Sequence, residues 1–200
     1  MKALVVSAAT LLVASTIGMG ANAADLAAQL DVVAPLVNAE DMDAIGGPDD
    51  PAEIIAGLDG QWFTLNNVTR NWGSDGVGFD QENLARSVAR NCSDEADPSI
   101  TYEVTGDTSW TVREILPRYE TELTQTVTHL EGRRFSISVN LDELLHSYGK
   151  GEASESERAE MQEMVAMFKE QGAEFWRPSD DIFIASGPFG IDVTGRCPST

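Results

Sequence analysis

The stretch ELTQTVTHLEGRRFSISV, Glu122 to Val139, holds two short runs of alternating polar and apolar residues around a Glu-Gly-Arg linker. Alternation with period two marks a strand with one buried face. The apolar positions are odd on both sides: Leu123 and Val127 before the linker, Phe135, Ile137 and Val139 after it. A two-residue loop at Glu131-Gly132 would pair odd with even and send the two apolar sets to opposite faces. A three-residue loop, Glu131-Gly132-Arg133, pairs odd with odd, sets Val127 against Ile137 and His129 against Phe135, and keeps a single buried face. The sequence therefore predicts an antiparallel hairpin with a three-residue connection and a positive-φ residue near Gly132.

The same reading extends outward. Gly60 to Leu65 is a first strand; Ser99–Val104 and Ser109–Ile115 are a pair joined by Thr105-Gly106-Asp107. Near the C-terminus, Ile182 and Ile184 are even while Ile191 and Val193 are odd. A two-residue Gly187-Pro188 turn then sets Ile184 against Ile191 and Ile182 against Val193, with glycine in the first position of a type II′ turn. Three helices interrupt the strands. Asp50 caps the first, with Pro51 at its first position, Glu53 three residues after the cap, Ile54 and Ile55 as its apolar face, and a stop near Gly57. Phe79–Arg90 is the second, capped by Asp80, with Leu84 and Val88 on one face and Arg86 and Arg90 on another. The third starts at a Ser154/Glu157 capping box, carries the stripe Met161, Met164, Val165 and Phe168, and ends at Gly172. The expected fold is α+β, mainly an antiparallel curved sheet or incomplete β-barrel of seven strands, with two or three packed helices.

The first 23 residues read as a cleavable signal peptide. Lys2 is the only charge before Asp25, an apolar run follows from Ala3 to Ile17, and Ala21-Asn22-Ala23 fits a cleavage site, placing the cut after Ala23. Residues 24–49 are an acidic N-terminal extension, expected to be loosely held because Pro35 interrupts its helical stretch, with a linker at Gly46-Gly47-Pro48. Residues 50–200 form one antiparallel β-rich domain with helical insertions. No transmembrane segment is expected in the mature chain, and the location implied is periplasmic or secreted.

Net charge is −20 for the 200 residues, and loss of Lys2 with the signal takes it to −21. A surface this acidic repels nucleic acid phosphates, so no nucleic acid partner is expected. The basic residues of the mature chain are ten Arg and only Lys150 and Lys169; the simplest role for these Arg is pairing with the abundant Asp and Glu. Cys92 and Cys197, the only cysteines, are expected to form one disulfide in an oxidising compartment. A bridge across so long a loop stabilises by roughly 4–5 kcal/mol in the chain-entropy model.

Motifs for chemistry are sparse. There is no H-E-x-x-H, C-x-x-C, G-x-S-x-G, Walker or dinucleotide glycine pattern, and no calcium loop. No metal, cofactor or catalytic residue is assigned. His129 and His146 are the two histidines; His129 on a strand's apolar face reads as hydrogen-bonded structure. Asn67-Val68-Thr69 matches the N-glycosylation pattern, read as coincidental in a bacterial protein.

The capped helix at Asp50, followed by Gly60-Gln61-Trp62 opening the first strand and then antiparallel hairpins, resembles the start of a lipocalin, a calycin-type β-barrel. In that family a G-x-W in the first strand closes one end of an eight-stranded barrel, and an Arg near the last strand packs over the Trp. The resemblance implies that Gly60 and Arg196 are structural, that Arg196 covers Trp62, and that the barrel encloses a cavity for a small apolar ligand.

The reading that follows is an exported, non-enzymatic protein binding a small apolar or lipid-like ligand in the cell envelope. Its candidate site comprises Trp62, Trp110, His129, Phe135 and Ile137 on the concave face, Met164 and Phe168 from the helix as a lid, and Arg113 as anchor for an anionic head group. Arg113 and Trp110 have opposite strand parity, so only one can face inward without a bulge; Trp110 is favoured. Two alternatives stay open. One is an envelope protein–protein interaction module, with the acidic extension as tether and the Met-rich helix as contact. The other is a hydrolase with an unrecognised acid–base pair.

Overall fold

The structure, a computed structural model, describes residues 23–65, 81–92, 100–116, 121–188 and 190–198. The expected signal up to residue 22, the Asn67 glycosylation pattern and the Asp80 cap lie outside them. Eight antiparallel strands form a closed barrel: β1 Gly60–Thr64, β2 Ile100–Gly106, β3 Ser109–Leu116, β4 Thr121–Glu131, β5 Arg134–Val139, β6 Ala173–Trp176, β7 Ile182–Gly187 and β8 Gly190–Arg196. Each strand pairs with the next, and β8 returns to β1 with Trp62 opposite Arg196 and Thr64 opposite Thr194. Closure leaves each described strand with a neighbour on both sides, although β5 meets β6 over only two residue pairs. The described helices are α1 Ala23–Asn38, α2 Pro51–Ile55, α3 Gln81–Asn91, α4 Leu141–Ser147 and α5 Glu155–Glu170, with a 3₁₀ turn at Met42–Ala44. The fold is α+β.

The β4–β5 hairpin has the expected register, with Val127 opposite Ile137 and His129 opposite Phe135, and Gly132 at φ 53°. The connection is tighter than a plain three-residue loop. Glu131 pairs with Arg134 across a bulge, which absorbs the extra residue at the turn and keeps both apolar sets inward. The eighth strand, β6, is missing from the sequence reading. It spans only four residues, too few for alternation to register. Gly172 just before it carries φ 65°, and a Cβ there would meet the Phe135 carbonyl oxygen at 2.1 Å. Only glycine lets the end of α5 approach β5 so closely. Helix α4 was also unread; Asn140 caps it, accepting from the Asp142 and Glu143 amides. Helices α2 and α5 start as expected, Asp50 accepting from the Ala52 and Glu53 amides and Ser154 with Glu157 forming a full capping box.

The C-terminal hairpin corrects the sequence reading. Ile184 lies opposite Val193 and Ile182 opposite Gly195, with Gly187 paired to Gly190. The register is displaced by two residues from the Gly187-Pro188 turn. An even displacement keeps every side chain on its own face, so the hydrophobic pattern cannot tell the two registers apart.

The faces themselves differ more. Ile182, Ile184 and Val193 do not line the barrel. They point outward and pack beneath α1 with Phe63, Leu65 and Trp176. On α1, Leu26, Leu30, Val33 and Val37 are all buried in that cluster. Residues 24–49 are therefore not a loosely held extension; their helix is one wall of the core and runs through Pro35. A proline inside a helix costs about 3 kcal/mol. Burying four large aliphatic side chains is worth roughly 6–12 kcal/mol gross, so the stripe outweighs the break.

Cys92 at the end of α3 is bonded to Cys197 just past β8, as expected, so the bridge ties α3 to the strand that closes the barrel. Among the described residues no helix is long and apolar enough to cross a membrane.

Because Leu30 is fully buried between α1 and the barrel wall, Leu30→Ala should lower unfolding free energy by about 2–5 kcal/mol. A urea titration checks this. A loss below about 0.5 kcal/mol, the usual range for surface substitutions, would mean that α1 is not docked.

Candidate functional site

Alternation fixes what the barrel encloses. Trp62, Tyr102, Trp110, Val127, Phe135, Phe175 and Phe183 face inward and form the interior cluster. The rings interlock edge to face: Trp110 sits 4.9 Å from Phe135, 5.0 Å from Phe175 and 5.9 Å from Phe183.

One end of the barrel is shut. The side chains of Ile54 and Ile55 on α2, with Leu58, join the interior cluster beneath Trp62. The Trp62 indole N–H donates to the Leu58 carbonyl at 3.0 Å. Arg196 lies over the Trp62 ring, its guanidinium carbon 4.4 Å from the ring centroid. It also donates to three backbone carbonyls, Asp180 at 3.0 Å, Asp59 at 2.8 Å and Gly57. Arg177, buried, donates to the Ala56 carbonyl and, at 3.0 Å, to the Asp180 carboxylate. Two guanidiniums thus bind the carbonyls at the C-terminal end of α2, where partial negative charge collects. Burial pulls both guanidiniums below their ordinary range, while Asp180 and Asp181 oppose the shift.

Toward the other end lies a cavity of about 270 Å³. Its apolar lining includes Tyr102, Trp110, Val112, Ile137 and Phe175, with Phe168 contributed by α5. Two carboxylates line it as well: Glu114 of β3 and Asp192 of β8. No Lys, Arg or His is among its described lining residues. Burial, and secondarily Asp192, raises Glu114 above the usual carboxylate range. Burial pushes the Tyr102 phenol up as well, opposed by its hydrogen bond with Thr194 and reinforced by Glu114 and Asp192. The Trp110 indole N–H is buried without a hydrogen-bond partner.

The candidate residues separate against this geometry. Trp110, Ile137 and Phe168 line the cavity. Phe135 belongs to the interior cluster among the aromatic rings. Trp62 is sealed under Arg196 at the shut end, where Gly60 begins β1. His129 stands at the hairpin end of β4, its Nε2 3.1 Å from the Gly132 carbonyl and its ring 5.2 Å from Phe135, outside the cavity lining. Met164 packs with Leu123, Leu144 and Met161 in a separate cluster of α4, α5 and β4. Arg113 is exposed on the outer face, as its parity against Trp110 demands, so it cannot anchor a ligand inside. His146 is exposed in the last turn of α4. Pairing of Arg with surface acids holds for Arg133 with Asp49 and Arg158 with Asp142.

Glu114 and Asp192 were not singled out in the sequence. Glu114 was legible, because positions 110, 112 and 114 share a face and Trp110 was placed inward. Asp192 was not, because the apolar alternation of β8 suggested the opposite orientation. Among the described residues no group of three or more His, Cys, Asp or Glu is placed to hold a metal ion. No protein-family model matches the chain, and neither a curated protein nor a solved structure is significantly similar to it.

Two outcomes follow. Arg196→Ala should destabilise by about 2–4 kcal/mol through loss of charged hydrogen bonds and the ring contact. Arg196→Lys should recover only part, since an ammonium cannot span three carbonyls and stack flat; urea unfolding of both variants tests this. The second concerns Glu114. Its folded value lies above the unfolded value near 4.5, so in that window the native state holds more proton and stability falls as pH rises. Glu114→Gln removes the effect. It should be more stable than wild type at about pH 8, and the gain should shrink toward about pH 4. Thermal melts across that range decide it; a constant difference would contradict the burial of an ionised Glu114.

Proposed function

We propose that this chain is an exported carrier that binds one small, largely apolar molecule inside its barrel. The observation that carries the reading is the cavity of about 270 Å³ between the aromatic interior and the mouth. Ligand pockets for drug-sized molecules span about 300–1,000 Å³, so the occupant is compact, nearer a single-ring molecule than an acyl chain. The lipocalin-like reading is supported by the closed eight-strand barrel and by Arg196 stacked on Trp62 of Gly60-Gln61-Trp62. Export is supported by the disulfide, which suits an oxidising compartment, and by the signal-like N-terminus. The features available to an interaction module are engaged within the fold: the α1 stripe is buried, and Met161, Met164 and Val165 pack on α4 and β4.

One observation favours a second reading. Glu114 and Asp192 share one cavity, and Glu114 is raised, as a general acid beside a carboxylate base requires. Turnover of chromogenic glycosides or esters that disappears in Glu114→Gln would establish a hydrolase.

For the carrier, Ile137→Trp fills the cavity from the β5 wall. It should weaken binding of small aromatic probes, followed by tryptophan fluorescence, at least about tenfold, a loss of about 1.4 kcal/mol. The circular dichroism of the barrel should stay unchanged. Undiminished binding would place the site elsewhere.

A further inference from the structure

We infer that the cavity selects a small neutral ring with an amide- or lactam-like edge, an N–H donor beside a C=O acceptor. Glu114 and Gln125 bind that edge together from neighbouring strands, and the ring lies against Trp110, Val127 and Phe175. This rests on the carrier reading above and narrows it to one chemical class. The expectation of an anionic head group depended on Arg113, which is exposed on the outer face.

The β3–β4 register sets Trp110 opposite Val127, Val112 opposite Gln125 and Glu114 opposite Leu123. Residues two apart on a strand share a face. Trp110, Val112 and Glu114 of β3 therefore stand beside Val127 and Gln125 of β4, and all five line the cavity. Glu114 and Gln125 are diagonal neighbours in this ladder, close enough for two long side chains to meet one small group. Both are half-buried, so a guest in the cavity can reach them. Among the described residues neither side chain has a hydrogen-bond partner. Asp192, also in the lining, is exposed and plays no part in this pairing.

Polarity thus rises along two adjacent strands. The Gln125 row lies roughly 6.7 Å beyond the Trp110 row, and Glu114 stands one row further. A carboxamide offers donors and an acceptor at once, and so does a protonated carboxyl. Burial raises Glu114, which favours that neutral form. A ligand edge with N–H beside C=O answers both groups without any charge. An anion would meet Glu114 and no described Lys, Arg or His. A purely apolar guest would strip water from both groups and return nothing. The volume of about 270 Å³ admits one ring with such an edge.

Benzamide and isopropylbenzene test the proposal on the full chain by NMR titration. They have nearly the same shape and no charge, and only benzamide carries the donor and acceptor. Gln125→Met and Glu114→Met remove the hydrogen-bonding groups while keeping side-chain length. Each should lower the benzamide-to-isopropylbenzene affinity ratio about threefold to tenfold, the range of one hydrogen bond. Glu114→Gln keeps a donor and an acceptor and should hold the ratio within about twofold of wild type. In the isotope-labelled wild type, the Gln125 side-chain amide signals should shift with benzamide and not with isopropylbenzene; this decides the matter should a Met variant fail to fold. If both Met variants keep the wild-type ratio, or the Gln125 signals respond equally to both probes, the assignment falls and the carrier stands. If Glu114→Gln loses as much as Glu114→Met, the carboxylate's charge is what counts, and the neutral class is overturned. Should neither probe bind, both the assignment and the carrier reading fall.

Discussion

Arg196 sits where the chain's two ends of sheet meet. Its strand, β8, closes the barrel by pairing with β1, and its guanidinium lies 4.4 Å from the centre of the Trp62 ring directly across that pairing. The same group takes carbonyls from Gly57, Asp59 and Asp180, which belong to the end of α2, the entry to β1 and the β6–β7 connection. One planar cation therefore satisfies acceptors from the α2–β1 turn and the β6–β7 connection, two segments that Arg177 also joins. The disulfide at Cys197 pins the next residue to α3. With that end shut and tied, the cavity lies toward the opposite end of the barrel.

The barrel wall is not apolar on one side only. Strand β7 is buried on both faces, with Phe183 inside and Ile182 and Ile184 outside under α1. β8 goes further: Val193 points out into the α1 layer, while Asp192 and Thr194 point into the cavity. Covering a sheet from outside lets its inner face carry polar residues while the strand still buries an apolar face. The helix that does so also offsets the cost of its own Pro35.

That inversion separates the parts of the site that could be read from those that could not. β3 alternates plainly, and fixing Trp110 inward places Val112 and Glu114 beside it and Arg113 outside. For β8 the usual inference, apolar residues inward, points the wrong way, because the outer layer was taken for a loose extension. Asp192 then looks like one more surface acid among 33 carboxylates. His129 was drawn to the concave face by the same pairing that correctly set it opposite Phe135, but it stands at the hairpin end, beyond the cavity.

Local chemistry in the chain determined the strands with clear alternation, the Asp50 and Ser154 caps, the hairpin register through Gly132, and the only disulfide two cysteines allow. These depend on neighbours a few residues apart, or on a choice with one answer. Tertiary structure alone decided three things: that β6 exists, that the β7–β8 register runs through Gly187 and Gly190, and that two carboxylates share one chamber. Each depends on what packs against a strand from far away in sequence. A four-residue strand is held by its partners β5 and β7, a two-residue slip leaves the hydrophobic pattern unchanged, and the polarity of an inner face follows from the helix laid across the outer one.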